Sequence, residues 1–328
     1  MSYWAGKRVL VTGGGGFLGS HVVSLLRGKA CDRIVVLHSN DCDLTKEAEV
    51  RQLFENDRFE VVFHLAGFVG GIGANRTYPV DFYFNNIMMN TLTIDYACKA
   101  GVDKVIAAGA GCGYPEQGPL PLAEDRFWDG FPQADSAPYS LAKRMLHVQS
   151  IAYWNQYRFP IVTTIPGNIY GPRDNFDLEN AHVVPALVRK FVEAVDDGTS
   201  EIEIWGGGSP TRDFVYAEDV AEGMIKAAEI RDQPGLVNLA SGRETNVREV
   251  VETLREITGF CGELVWNRDR PEGQSRRVFD VSRAKEWLGW EAKTSLREGL
   301  LATVQWYRKY RLTARNLEPL GQNRVFVS

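Results

Sequence analysis

The run Thr12-Gly13-Gly14-Gly15-Gly16-Phe17-Leu18-Gly19 follows a β-branched stretch, Arg8–Thr12, and opens an amphipathic one, Gly19–Arg27. Glycine stands at Gly13, Gly16 and Gly19. Such glycines permit a tight turn, close approach of backbone to a pyrophosphate, and close helix–strand packing. The helix beyond presents free N–H groups and the positive end of its dipole. A bare GxxGxxG carries little weight; strand, turn and helix in that order give it weight. A chain that begins this way is constrained to a parallel sheet with crossover helices.

The rest of the first half agrees. Arg33–Leu37, Val61–Ala66, Lys104–Ala107 and Pro160–Ile165 are short, β-branched and nearly continuous in hydrophobicity, as doubly covered strands are. Ala48–Glu55 and Phe82–Lys99 read as the helices between them. The expected class is α/β, a Rossmann-type doubly wound parallel sheet with a smaller C-terminal α/β substrate domain. After Pro166 the rhythm loosens. Gly171 to Asn180 reads as a loop, His182–Val195 as a helix, and Glu201–Trp205 and Asp213–Tyr216 as short strands. Asn246–Thr258 and Ser295–Tyr310 read as two more helices, and Leu236–Leu239 as a strand returning to the main sheet. The expected division is 1–170 plus 213–245 for the dinucleotide, 171–212 plus 246–315 for the substrate, and a tail at 316–328.

Composition removes several classes of function. The 328 residues carry 37 Lys+Arg against 42 Asp+Glu, a net charge of −5. Nucleic-acid binding requires a basic footprint, so none is expected. No apolar run approaches about 20 residues, so no membrane span is expected. The N-terminus has no signal-peptide pattern. Cys31, Cys42, Cys98, Cys112 and Cys261 form no CxxC pair, and the five histidines form no HxxxH pair. Neither a disulfide framework nor a metal site is expected, and a reducing cytoplasm fits.

Two further features carry chemistry. The second strand should end at the residue that reads the adenosine ribose, acidic for NAD and arginine for NADP. It ends Leu37-His38-Ser39-Asn40-Asp41, with no Arg or Lys there or in the glycine turn, so NAD is favoured over NADP. Asp43-Leu44 is a candidate for the adenine edge; a solvated loop aspartate is the alternative. Pro138-Tyr139-Ser140-Leu141-Ala142-Lys143 places Tyr139 and Lys143 on one helical face, with Ser136 as the expected N-cap. A lysine ammonium beside a phenol favours phenolate and is expected to lower its pKa. Such a tyrosine can exchange a proton with a sugar oxygen while a nicotinamide exchanges a hydride. Alone the pair is weak evidence; with the N-terminal glycine turn it is strong.

Short motifs in order extend this along most of the chain. They are His64-Leu65-Ala66-Gly67, Val69-Gly70-Gly71-Ile72, Cys112-Gly113-Tyr114-Pro115 and Tyr139…Lys143. Asn168-Ile169-Tyr170-Gly171-Pro172, His182-Val183-Val184-Pro185, Trp205-Gly206, Pro210-Thr211-Arg212 and Arg270-Pro271-Glu272-Gly273…Arg276-Arg277 follow. In these the chain resembles the extended short-chain dehydrogenase/reductases that act on nucleotide sugars, and among them the GDP-L-fucose synthases, epimerase/reductases of a GDP-4-keto-6-deoxymannose. The resemblance implies a dinucleotide along Gly13, Gly16, Phe17, Leu18 and Gly19, past His38, Asp43 and Leu44, and over Leu65, Ala66 and Gly67. It would then meet Tyr139, Lys143, Pro166, Asn168 and Ile169. Cys112 and His182 stand where the family places its acid–base pair for epimerisation. Asn168, His182, Lys190, Trp205, Arg212 and Arg277 stand where it holds the GDP-sugar. A homodimer through Phe82–Lys99 and Tyr139–Trp154 is implied too.

The chain departs from that pattern at three places. Ala110 stands two residues before Cys112, where the family has a serine that hydrogen-bonds the reacting oxygen; losing such a donor can cost on the order of 3 kcal/mol in barrier. The glycine turn has no basic residue, and no arginine follows the second strand. The departures leave alternatives to net reduction: a redox-neutral epimerase with tightly held NAD, an NAD-dependent sugar-nucleotide dehydrogenase, or a cofactor-bound sensor without turnover.

Overall fold

A computed structural model describes residues 2–178, 181–230, 232–269 and 274–314. The Arg270-Pro271-Glu272-Gly273 motif, residue 315 and the tail 316–328 lie outside the described residues. The first half runs β1 Arg8–Thr12, α1 Phe17–Arg27, β2 Arg33–Leu37, α2 Glu47–Asn56 and β3 Val61–His64. Next come α3 Ile72–Thr77, α4 Pro79–Lys99, β4 Lys104–Ala108, α5 Ala137–Tyr157 and β5 Ile161–Pro166. The second half has β6 Asn168–Tyr170, α6 Val183–Asp197, β7 Glu201–Trp205, β8 Thr211–Arg212, β9 Phe214–Tyr216 and α7 Ala217–Ile230. It ends with β10 Gly235–Leu239, β11 Thr245–Asn246, α8 Val247–Thr258, β12 Glu263–Asn267, α9 Ser282–Leu288 and α10 Leu296–Ala314.

Six of these strands form one parallel sheet in the order β2-β1-β3-β4-β5-β10. The chain steps from β1 to one neighbour and then to the other, so the order reverses at β1. Ligands of open α/β sheets bind at the strand C-termini beside such a reversal. Alternate residues feed opposite faces. Val9, Val11, Phe63 and Val237 join the core under α1 and α7, while Leu10, Val62, Val105 and Ile161 join that under α2, α4 and α5. A third core fills the second lobe, where Val188 and Phe191 of α6 meet Leu254 of α8 and Val304 and Tyr307 of α10.

Several elements differ from the sequence reading. The third strand stops at His64 because Leu65 and Ala66 turn their N–H groups onto the Thr12 carbonyl and hydroxyl, both at 3.2 Å. Asn168–Tyr170, to which the sequence reading gives no element, pairs in parallel with β9. Helix α7 was not expected, since Asp219 interrupts its apolar pattern; that buried carboxylate accepts hydrogen bonds from Thr294. Ser136 occupies the N-cap position of α5, but its side chain makes no cap hydrogen bond because a 3-10 turn, Ala134–Ser136, leads into the helix. Helix α9, which the sequence reading does not give, adds Ala284 and Leu288 to the core around α1 and α7.

Asp213, fully buried, stitches the two lobes where the chain crosses between them. Its carboxylate accepts from Ser241 N and Oγ, Gly242 N and Phe279 N. Asp213→Ala strands those donors, and each buried unmet group costs about 1–3 kcal/mol. Urea unfolding of this variant is expected to show a loss of at least about 3 kcal/mol; an unchanged midpoint refutes the assignment.

Candidate active site

The glycine turn lies where β1 and β3 separate. Gly13 has φ +67°, and a Cβ there would stand 2.8 Å from the Ala66 amide nitrogen. At Gly19 a Cβ would overlap the Gly13 carbonyl. Both positions therefore exclude every other residue. No side chain caps α1, whose N-cap is Gly16, so its first N–H groups are left for a ligand. This cradle fits a dinucleotide pyrophosphate. Leu18 packs against the core, and Phe17 lies edge-on to His21.

The end of β2 places its expected residues unequally. The His38 ring lies over the turn, its Cε1 2.6 Å from where a Gly15 Cβ would be. Asp41 Oδ2 accepts from the His38 N–H at 3.0 Å. The Asp43 carboxylate turns into its own loop, accepting from Thr45 N and Oγ1 at 3.1 and 2.7 Å. Leu44 packs into the core with Phe54 and Val62.

Lys143 is nearly buried, and its Nζ donates to the Ala108 carbonyl at 3.1 Å. Gly67 leaves room for it: a Cβ there would stand 3.3 Å from both Lys143 Nζ and Asn86 Oδ1. Burial pushes Lys143 down to about 8, opposed by the Cys112 thiol. Tyr139 differs from the sequence expectation. Burial raises its phenol above the ordinary value and the Cys112 thiol adds to the rise, opposite to the lowering expected from a neighbouring lysine. The phenol remains protonated at neutral pH.

A buried chain reaches the α5 backbone beside Lys143. The Ala142 carbonyl requires a donor, so Asn90 Nδ2 faces it at 3.2 Å and Asn90 Oδ1 faces His64 Nε2 at 3.0 Å. His64 Nε2 therefore carries the proton, and Nδ1 accepts from the Thr12 hydroxyl at 3.0 Å. Burial, then the nearby Lys143, push His64 down to about 3.

Cys112 sits in a 3-10 turn, Gly111–Gly113, begun by buried Ala110. Its thiol acts electrostatically on Tyr139, Lys143, Arg144 and Arg277, which gathers these groups around it. His182 comes from the second lobe as the N-cap residue of α6. It is exposed by area, yet its ring is crowded enough for desolvation to push its pKa down. Burial, then repulsion from Arg277, press Arg212 down to about 10. Two neighbouring guanidiniums concentrate positive charge, and such a pair can hold an anion. Trp205 is exposed at the end of β7, with Lys190 Nζ 5.3 Å above its ring. Pro166, Asn168 and Ile169 follow in and beyond β5, where Asn168 N donates to the Asp213 carbonyl at 2.7 Å. Sequence reasoning missed Thr12, Asn86, Asn90 and Arg144. The signal available for two of them was a pair of asparagines four apart on the inner face of α4.

Residues 9–240 match the model of the NAD dependent epimerase/dehydratase family. The chain belongs to that family. It is 36% identical over 311 residues to a probable GDP-L-fucose synthase 1 of Oryza sativa subsp. japonica, covering 94% of each chain. It is 33% identical over 310 residues to the GDP-L-fucose synthase of Escherichia coli K12, covering 92% of this chain and 96% of that one. A GDP-L-fucose synthetase from Naegleria fowleri bound to NADP superposes with a TM-score of 0.88 at 28% identity, covering 96% of each chain. Among the described residues no helix is long and apolar enough to cross a membrane.

The state of His64 has a measurable consequence. The unfolded imidazole takes a proton as pH falls through its ordinary 6.5, whereas the folded one resists to about 3. Stability present above that ordinary value is therefore lost as pH falls between the two, by up to about 1.4 kcal/mol per pH unit. Between pH 7 and 5, wild type is expected to lose about 2 kcal/mol more in urea unfolding than His64→Gln. Equal losses show that His64 is not held neutral.

Proposed function

We propose that this protein is a GDP-sugar epimerase/reductase acting on a GDP-4-keto-6-deoxyhexose with a nicotinamide dinucleotide, NAD in preference to NADP. The observation that carries the reading is the gathering of a thiol, a protonated phenol and a buried lysine beside the glycine cradle. The paired arginines support a diphosphate ligand, and the fucose-synthase relatives support GDP as its nucleotide.

A ketone at C4 acidifies the protons at C3 and C5. Cys112 removes a proton from one face, and His182 returns one to the other. A nicotinamide dinucleotide held along the Gly13–Gly19 turn would supply the hydride for C4. Tyr139, kept protonated by burial, gives its proton to O4 as that carbon is reduced. Lys143 holds a charge beside the phenol and is anchored by the Ala108 carbonyl. Arg212 and Arg277 clamp the diphosphate, Lys190 and Trp205 hold the base, and Asn168 lies by the sugar. Ala110 supplies no hydroxyl to the ketone, which favours a second reading, redox-neutral epimerisation at the same acid–base pair. A homodimer is proposed through α4 and α5, whose exposed Val80, Tyr83, Phe84, Val148 and Ile151 are apolar. A cytoplasmic setting agrees with five free cysteines.

Incubation with GDP-4-keto-6-deoxymannose in D₂O is expected to place deuterium at C3 or C5. Cys112→Ser and His182→Asn should each lose about 100-fold or more of that exchange, while Tyr139→Phe keeps exchange and loses reduction. Absence of deuterium in the wild type refutes the acid–base assignment. Exchange without consumption of NADH or NADPH favours the redox-neutral reading.

Calorimetric titration should show tighter binding of NADH than of NADPH, since His38–Asp41, just after β2, holds no arginine or lysine. Tighter NADPH overturns the cofactor preference.

A further inference from the structure

Arg144 follows Lys143 on α5 and plays no part in the chemistry above. It is nearly buried, at 3% exposure. Its Nε donates to the Gly113 carbonyl, and Nη1 to the Gly130 carbonyl at 2.9 Å. Gly113 is the residue after Cys112. The guanidinium lies 5.3 Å from the ring of Phe127 and 5.2 Å from that of Trp128. Nη2 is buried without a hydrogen-bond partner.

A buried cation is costly unless something opposes its charge. Among the described residues no carboxylate forms an ion pair with Arg144. Bridging two carbonyls requires N–H donors but no charge. The titratable group that acts on this guanidinium is the Cys112 thiol, whose charged form favours the cation. Such an attraction is mutual: a cation stabilised by a thiolate stabilises that thiolate equally. Lys143 and Arg277 act on the same thiol but are held elsewhere, Lys143 on the Ala108 carbonyl and Arg277 on Gln274, whereas Arg144 is tied by Nε to the carbonyl of the residue after Cys112.

We propose that Arg144 is a positioning residue for Cys112: it braces the turn through the Gly113 carbonyl and supplies a fixed buried positive charge that favours the thiolate when the substrate proton is taken. The step is balanced within the site. The carbon–hydrogen bond breaks, an S–H bond forms, and the electron pair passes into the enolate. The inference rests on Cys112 being the base of the proposed reaction.

The test uses the full-length protein with Arg144→Met and Arg144→Lys. One readout needs no sugar: alkylation by iodoacetamide at the Cys112-bearing peptide, followed against pH by mass spectrometry. Arg144→Met is expected to move that profile to higher pH, and Arg144→Lys, which keeps the charge, to restore most of it. The second readout is deuterium exchange into GDP-4-keto-6-deoxymannose. Arg144→Met should lose at least tenfold, with dinucleotide affinity unchanged. Arg144→Lys should remain impaired, because one ammonium nitrogen cannot occupy the separate positions of Nε and Nη1 that serve the two carbonyls. If Arg144→Met does not fold, Arg144→Gln replaces it, with the same expectations. A folded neutral variant with the wild-type alkylation profile overturns the proposal, whatever the exchange shows. A shifted profile in a protein whose wild type exchanges no deuterium supports Arg144 and removes the substrate assignment instead.

Discussion

The junction of Thr12 with Ala66 and His64 is the contact on which the rest of the site depends. One hydroxyl accepts the N–H that ends β3 and donates to a fully buried imidazole. The same junction holds Ala66 against Gly13, so the phosphate turn and the third strand are set by one another. Through Asn90 it reaches the backbone of α5 beside Lys143. The glycine turn and the helix that carries Lys143 thus belong to one hydrogen-bonded unit. Buried chains of this kind are rigid when every member is satisfied.

Burial rather than pairwise charge decides protonation in the cleft. It lowers Lys143, Arg212 and His182 and raises Tyr139, in each case as the largest cause. Charges crowd around Cys112 at the same time, with Lys143, Arg144 and Arg277 all within its electrostatic reach. On the proposed reading, a protonated phenol suits donation to a nascent alkoxide and a thiol set among cations suits proton removal.

The chain writes its first lobe plainly. Arg8–Thr12 is a buried inner strand and Arg33–Leu37 a half-buried edge strand; both carry continuous apolar runs, and their limits match the structure. The glycine turn was legible because steric exclusion at Gly13 and Gly19 admits no other residue. Harder to read were α7, where small alanines and a buried aspartate break the periodicity, and β12, which pairs only with the short β7. Asp43 and Leu44 looked alike as cofactor candidates. Local turn chemistry turned the Asp43 carboxylate inward, and core packing took Leu44.

The sequence by itself determined a parallel sheet opening on a phosphate cradle, a Tyr–Lys face, and a thiol within a recognisable motif. These follow from local sterics and periodicity, which need only neighbours along the chain. Only the tertiary structure decided that Tyr139 stays protonated and that Asn90 ties His64 to the α5 backbone beside Lys143. It also decided that Arg144 reaches the carbonyl beside Cys112. Those outcomes depend on how much water is removed from each group and on which distant backbone atoms surround it, and neither is written in residue spacing.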